Sequence, residues 1–394
     1  SWGLPSSYGL ATNVTIVDSA TIDDEMISDI QELVRYQPGI DVDRQTSGTD
    51  PFNTFGGFTI RGVGGNRVQM LVDGSRVPER IVDGTRDFVD LDFIKQVEIV
   101  RGPGSVLWGT DALGGIVAFE TLDPEDLLVG GKTAGGRASV SYDSFNNGVD
   151  TSFVGAAQIS PDFMVLAGIS YDVAEEGNLS KARADGGLYG CPRNVSWGAT
   201  PCNEFDPTDM DAVHGLFKLV ATPADGHRFE ISADIMNRVT DVQYDQVLGP
   251  QYSSVTGRPT GEIVHGHDRT LDLTRQRFAI EHDWTVAQPW LDSLKWTFAY
   301  APQSYERTGV KRTTAANGRE LRSSDELSYG EDFFEFDLQL VSAFEAMDVS
   351  HVLTYGFDGD IAETDYERQD TVIQLATGAT TVSRAGGFNF ANVT

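Results

Sequence analysis

Arg228-Phe229-Glu230-Ile231-Ser232-Ala233-Asp234-Ile235-Met236 changes character at every second residue: Phe229, Ile231, Ala233 and Ile235 form one set, and Arg228, Glu230, Ser232 and Asp234 the other. Successive side chains of an extended chain point to opposite sides, so this stretch is a strand with one apolar and one charged face. The same division separates Phe163, Val165, Ala167 and Ile169 from Ser170 and Asp172. It separates Phe278, Ile280 and Trp284 from Arg277, Glu281 and Asp283, and Phe334, Phe336, Leu338 and Leu340 from Glu335, Asp337 and Gln339. Runs of roughly 10 to 15 residues exceed the ~5–6 of a soluble sheet and suit a tilted strand crossing a bilayer.

Around these strands the connections alternate in length. Short turns are expected at Ser160-Pro161, Pro223 to Gly226, Ala287 to Trp290 and Glu345 to Asp348, and long polar loops near 175–211, 241–270, 306–330 and from 367 onward. Outer-membrane barrels sort their connections in this way, with short periplasmic turns and long outer loops. A β-sandwich or propeller is the soluble alternative, with shorter strands and less regular sorting. About nine strands result, and Gly386 to Thr394 has the composition of a loop. The barrel is therefore expected to be incomplete in this chain, because an open edge in lipid leaves backbone groups unsatisfied.

Residues 1–128 follow another pattern. Met26, Ile30, Leu33 and Val34 fall at helical spacing, and Gln37-Pro38-Gly39 ends the run, which predicts one amphipathic helix over Asp24 to Tyr36. Strands are expected at Thr12 to Val17, Phe58 to Arg61, Val68 to Val72 and Val97 to Val100, with turns at Gly62-Val63-Gly64-Gly65 and Asp73-Gly74. The fold expected is an N-terminal α/β domain, residues 1–128, followed by the N-terminal part of a transmembrane antiparallel β-barrel, residues 129–394.

Acidic residues outnumber basic ones 59 to 29 over 394 residues, a formal charge of -30, which disfavours a nucleic-acid partner. No window approaches the ~18 apolar residues of a membrane-crossing helix. Cys191 and Cys202, with Pro192 and Pro201 just inside them, outline a small closed loop. A disulfide there calls for an oxidising compartment, and two free thiols are the alternative. His265-Gly266-His267 is half of a metal site with no third ligand at a recognisable spacing. Gly102 and Gly104 are followed by Leu107 and by no Gly-Lys-Ser or Gly-Lys-Thr, so a phosphate loop is excluded. Neither a Gly-x-Ser-x-Gly elbow nor His-Glu-x-x-His occurs, so no enzyme activity is expected.

The run Phe58-Thr59-Ile60-Arg61-Gly62-Val63-Gly64-Gly65-Asn66-Arg67-Val68-Gln69-Met70-Leu71-Val72-Asp73-Gly74 resembles the plug domain of TonB-dependent outer-membrane receptors. Val97-Glu98-Ile99-Val100-Arg101-Gly102-Pro103-Gly104-Ser105-Val106-Leu107-Trp108-Gly109, continued by Asp111-Ala112-Leu113-Gly114-Gly115-Ile116-Val117, is similar to that family's signature. With Asp87 to Asp92, Leu122 to Leu128 and His351 to Gly356, the resemblance narrows to the haem, haemoglobin and transferrin/lactoferrin receptor branch, and it covers nearly the whole chain.

The resemblance implies an importer of haem or iron in the bacterial outer membrane, with no intrinsic cofactor and with haem or an iron chelate as transported ligand. A haem protein such as haemoglobin is an implied source, and the inner-membrane TonB complex an implied partner. A siderophore or other metal-chelate receptor is an alternative, and a barrel-anchored surface adhesin another. The TonB-contacting box is expected to precede Ser1, so truncation is expected at both ends. A plug inside a polar lumen is expected to hold few large apolar residues. Arg61 and Arg101 match plug arginines that face barrel carboxylates in the family, forming a latch that can exchange its partners. Ligand contact is expected from the apical segments Gln45 to Phe55 and Arg76 to Arg86, with Arg76, Arg80 and Arg86 as candidates, and from the outer loops. No histidine precedes His214, so haem iron would take Tyr189, Tyr244, Tyr252, His265 or His267.

Overall fold

The computed structural model describes residues 13–42, 57–77, 89–102, 112–177, 206–253, 255–288, 290–346 and 349–384. Its N-terminal part runs β1 (Asn13–Asp18), α1 (Ser19–Asp24), α2 (Ile30–Leu33), β2 (Ile40–Val42), β3 (Phe58–Ile60), β4 (Val68–Val72), β5 (Ser75–Arg76), β6 (Ile94–Arg101), β7 (Gly115–Thr121) and α3 (Pro124–Leu127). Five of these strands form one sheet in the order β1-β6-β7-β4-β5, with only β4 and β7 parallel, while β2 and β3 pair as a separate ribbon.

The single helix expected over Asp24 to Tyr36 shrinks to the four residues of α2, and a separate helix, α1, ends where the expected one begins. Asp18 caps α1 by accepting from the Thr21 amide, and Asp29 caps α2 by accepting from the Gln31 and Glu32 amides. An aspartate in the middle of a helical run competes for backbone N–H groups and starts a new helix instead of continuing the old one. Met26, assigned to the apolar face, lies between the two helices at φ +51° and is 83% exposed. The expectation of few large apolar residues also fails. Ile30, Leu33, Phe58, Met70, Ile99 and Phe119 belong to one buried cluster, because the helices and the ribbon cover one face of the sheet.

The second part holds β8 (Ala134–Asp143), β9 (Gly148–Ser160), β10 (Phe163–Glu175), β11 (Thr208–Ala221), β12 (His227–Gln243), β13 (Gly249–Tyr252), β14 (Pro259–Gln288), β15 (Leu291–Tyr300), β16 (Gln303–Thr314), β17 (Glu320–Ala346), β18 (Val349–Gln374) and β19 (Thr380–Ser383). They form one sheet along β19-β18-β17-β15-β14-β12-β11-β10-β9-β8, with β13 paired to β14, and β16 placed between β14 and β17 beyond the end of β15. All its pairings are antiparallel. Among the described residues the sheet is open, with β8 at one edge and β19 at the other.

The alternation gives each strand an inside and an outside. Phe217 is 43% exposed while its neighbour Lys218 is 3% exposed, and Ile231 and Ile235 are exposed while Glu230 and Ser232 are buried. Apolar side chains outside and charged ones inside are the reverse of a soluble protein and suit a sheet bathed in lipid. All four short turns fall where the sequence puts them, joining β9 to β10, β11 to β12, β14 to β15 and β17 to β18.

Two of the long loops are corrected. Residues 241–270 and 306–330 are mostly strand, in β13, β14, β16 and β17. With 30 residues, β14 reaches roughly 100 Å at about 3.3 Å per residue, far more than the ~30 Å apolar core of a bilayer. These strands therefore stand clear of the membrane on the side opposite the short turns. Their polar composition resembles that of a loop, but cross-strand hydrogen bonding holds them extended.

Candidate functional site

The α/β domain and the sheet meet through charged groups buried at their seam. The β4–β5 turn places Asp73 at φ +46° and Gly74 at φ +85°, conformations that favour Asp and Gly. In that turn the Asp73 carboxylate accepts from the Thr121 amide at 2.8 Å and from the Thr121 hydroxyl at 2.6 Å. The Asp73 carbonyl accepts from Arg277 Nη2 at 2.7 Å. Arg277, on the inner face of β14, also donates to Ser75 at 2.8 Å and to Ser232 at 3.3 Å. Burial raises the Asp73 carboxyl, but Lys218 and Arg277 outweigh it and, with the Thr121 hydrogen bonds, hold it below the usual range.

Lys218 of β11 reaches Asp123 at 2.8 Å, Glu230 at 3.4 Å and Asp73 at 3.9 Å. Asp123 also takes Lys95 at 2.6 Å. Burial raises its carboxyl, yet Lys218 and Lys95 drive it well below the usual range. Arg228 adds contacts to Glu125 at 3.1 Å and Glu230 at 2.8 Å.

Along the chain from β6, His214 of β11 bridges Asp90 (Nδ1–Oδ2, 2.8 Å) and Asp234 of β12 (Nε2–Oδ2, 3.0 Å). Ser170 also donates to Asp90. Burial raises the Asp90 carboxyl, and the bonds from His214 and Ser170 bring it below the usual range. Phe93 packs on the His214 ring at 5.0 Å and sits where a Cβ on Gly168 would lie 2.8 Å away. Arg137 pairs with Asp23 at 2.9 Å and donates to the Asp92 carbonyl.

On the side away from the short turns, Arg76 of β5 pairs with Glu331 of β17 at 2.9 Å and lies over the Phe333 ring at 4.3 Å. Tyr329 donates to the same Glu331 at 2.5 Å. Tyr329 belongs to a buried cluster with Met236, Tyr244, Leu271, Leu273 and Tyr305 on the inner face.

Of the ligand candidates, Tyr244 and His267 are brought together, with ring centroids 5.0 Å apart and Arg269 at 5.6 Å from the Tyr244 ring. His265 is separated from them: the strand register shifts between Val264 and Gly266, and His265 is exposed and bonded to Thr314 at 2.7 Å. The two histidines of His265-Gly266-His267 therefore do not converge, and no group of three metal-ligating side chains occurs among the described residues. Tyr252 ends β13, half-buried. Arg80, Arg86, Tyr189, Cys191, Cys202 and the segment Gln45 to Phe55 lie outside the described residues.

The expected latch residues stay within the α/β domain. Arg61 is exposed at φ +50°, its amide donating to the Gly39 carbonyl at 2.7 Å, and Arg101 donates to Gln37 at 3.2 Å. Neither pairs with a sheet carboxylate among the described residues. The pairs that do cross the seam are mostly of the opposite polarity, with sheet cations Arg137, His214, Lys218 and Arg228 on domain carboxylates; Arg76–Glu331 alone among those named has the expected sense. His214, Lys218 and Arg277 were not singled out from sequence. Their one visible signal is position: each is a charged or titratable residue on the face of its strand that looks inward.

An α/β domain pinned by buried ion pairs against the inner face of a sheet whose outer face is apolar defines a plugged β-barrel of the outer membrane. Residues 7–116 match the family model described as TonB-dependent Receptor Plug Domain. The hemin receptor of Yersinia enterocolitica is 31% identical over 179 residues, covering 45% of this chain and 25% of that protein. The hemoglobin and hemoglobin-haptoglobin-binding protein A of Haemophilus influenzae is 24% identical over 309 residues, covering 73% of this chain and 26% of that protein. Among solved structures, the FrpB iron transporter of Neisseria meningitidis superposes with a TM-score of 0.59 at 16% identity, covering 92% of this chain and 62% of that one, a likeness of fold. Residues 7–116 thus carry the plug domain of TonB-dependent receptors, and the chain spans about a quarter of the length of these two curated relatives.

Proposed function

We propose that this chain is the plug, residues 1–128, and the first part of the barrel, residues 129–394, of a receptor that imports haem or haem iron. In this reading the protein binds and translocates and performs no catalysis. The inner-membrane TonB complex supplies the energy, and haem, free or carried by a haem protein, is the cargo. The observation that carries the reading is the relatedness to receptors named for hemin and haemoglobin, over a region that includes the plug. The inner aromatic cluster, with Tyr244 beside His267, supplies an apolar surface with oxygen and nitrogen donors that suit a haem face and its iron. Arg76, through its exchangeable pair with Glu331, links that wall to the plug.

The test is an absorbance titration of the detergent-solubilised full-length receptor with haemin. A saturable Soret shift near one equivalent, lost in Tyr244→Phe or His267→Ala, supports haem recognition. No shift sends the assignment to a siderophore or to an intact carrier protein. Growth on haemin in strains with and without TonB separates import from adhesion, because adhesion does not depend on TonB.

A further inference from the structure

The outer face of the barrel wall carries a hydrogen-bonded cluster of rings at the level of the short turns. His227 opens β12 directly after the β11–β12 turn and pairs across the strands with Trp284 of β14. Phe229 pairs in the same way with His282, and His282 with Trp296 of β15. By strand alternation these rings share the face of Ile231, Ile280 and Phe298, which are exposed on the outside. His227 stacks on Trp284 with centroids 4.9 Å apart, and Phe229 covers His282 at 4.0 Å with the ring planes 2° apart. The two imidazoles meet edge to edge, His227 Nδ1 lying 3.1 Å from His282 Nε2 with planes 6° apart. Enclosed by these rings, His282 is buried although it faces outward.

One group that can only donate sets the direction of every bond in this relay. The Trp296 indole N–H donates to His282 Nδ1 at 3.0 Å, so that nitrogen carries no proton. The His282 ring therefore keeps its proton on Nε2 and donates it to His227 Nδ1. His227 must then hold its own proton on Nε2. That N–H has no partner among the described residues. A ring nitrogen that carries a proton cannot ligate a metal, so His227 offers a hydrogen-bond donor and calls for an acceptor. The bilayer ends at this level, as the short turns and the aromatic rings both mark. Beside the β17–β18 turn the cross-strand partners Phe344 and His351 stack at 5.3 Å, which repeats the pairing of imidazole and aromatic ring.

We propose that this ring cluster is a binding site for one glycerophospholipid of the leaflet on the short-turn side, with a phosphodiester oxygen accepting from His227 Nε2 and the acyl chains lying along Ile231, Ile280 and Phe298. A hydrogen bond to a charged acceptor is stronger than one between neutral groups, which favours phosphate over an ester carbonyl. His227 alone touches the headgroup. Trp296 and His282 are positioning residues, because they hold His227 in the tautomer that donates outward. The site lies on the outside of the wall and is independent of the cargo.

The experiment measures lipid binding to the full-length receptor in detergent by native mass spectrometry, with phosphatidylethanolamine and, as the phosphate-free comparison, diacylglycerol. Saturable binding of phosphatidylethanolamine is expected, tighter than that of diacylglycerol by about fivefold or more, the worth of one hydrogen bond. His227→Phe keeps a flat ring on Trp284 but removes the N–H, and should erase that difference. His227→Gln returns an N–H donor and should recover part of it. Trp296→Phe keeps a ring but lets His282 carry its proton on either nitrogen, and should weaken the phospholipid while leaving diacylglycerol at its wild-type affinity. A purely structural role would lower both lipids together. All variants should stay folded by heat-modifiable electrophoretic mobility. Equal binding of the two lipids by wild type overturns the proposal, as does wild-type phospholipid affinity in His227→Phe or in Trp296→Phe, or the absence of saturable binding.

Discussion

His214 Nδ1 of the barrel lies 2.8 Å from Asp90 Oδ2 of the plug, across 124 residues of sequence. The His214 ring also holds Asp234, so one side chain compensates a buried and a half-buried carboxylate from different parts of the fold. His214→Leu should leave both acids uncompensated and lower plug stability by about 3–5 kcal/mol. His214→Gln, able to keep one bond, should cost less. Amide hydrogen exchange in β6 is the measurement, and Asp90→Asn in the His214→Leu background should recover part of the loss. Equal protection in wild type and His214→Leu would remove this contact from the forces that seat the plug.

Lys218 sits among Asp73, Asp123 and Glu230 with almost no exposure, so removing its charge takes a buried cation from three acids at once and leaves Asp123 to Lys95 and Glu230 to Arg228. Lys218→Met should destabilise the plug–barrel seam by roughly 3–5 kcal/mol. Asp123→Asn should cost less, because Lys218 keeps two acids. A double-mutant cycle read by urea unfolding of the solubilised receptor should give a coupling between the two of about 1 kcal/mol or more, and additivity would show that they act separately.

Asp92 carries a pH prediction. Burial, with Asp90 and Asp150 nearby, pushes its carboxyl up to about 8. In the unfolded chain the same group titrates near ~3.9. The unfolded state gives up this proton first, so the group's contribution is whole below about pH 4 and is lost as pH rises toward about 8. Asp92→Asn should be more stable than wild type at pH 8, with the advantage shrinking to nothing near pH 4. Thermal unfolding of both proteins across that range is the check, and parallel profiles would count against the assignment.

Gly168 has no side chain where Phe93 of the plug enters the wall. A Cβ there would lie 2.8 Å from the Phe93 ring, and the surrounding Leu166 and Leu216 are fully packed. Gly168→Val should cost about 1–3 kcal/mol through overpacking. Phe93→Leu in the same background should restore part of it, as measured by protease resistance of the plug.

Some of this was legible from residues alone. The two-residue alternation in Arg228 to Met236 reports the pleat of an extended chain, a local property, so it identified both strand and outward face. The four short turns and the plug motifs were equally local. Tertiary structure decided the rest. Strand pairing extended β14 and β16 through sequences with the composition of loops, because hydrogen bonds from a neighbour, not intrinsic preference, hold them straight. Asp29 opened α2 inside a run where hydrophobic spacing implied one longer helix. The latch was the least visible of all. That Arg61 stays exposed while Lys218 and His214 hold the plug follows from the register of strands far apart in sequence, and a buried charge is settled only by which opposite charge the folded chain brings within hydrogen-bond reach.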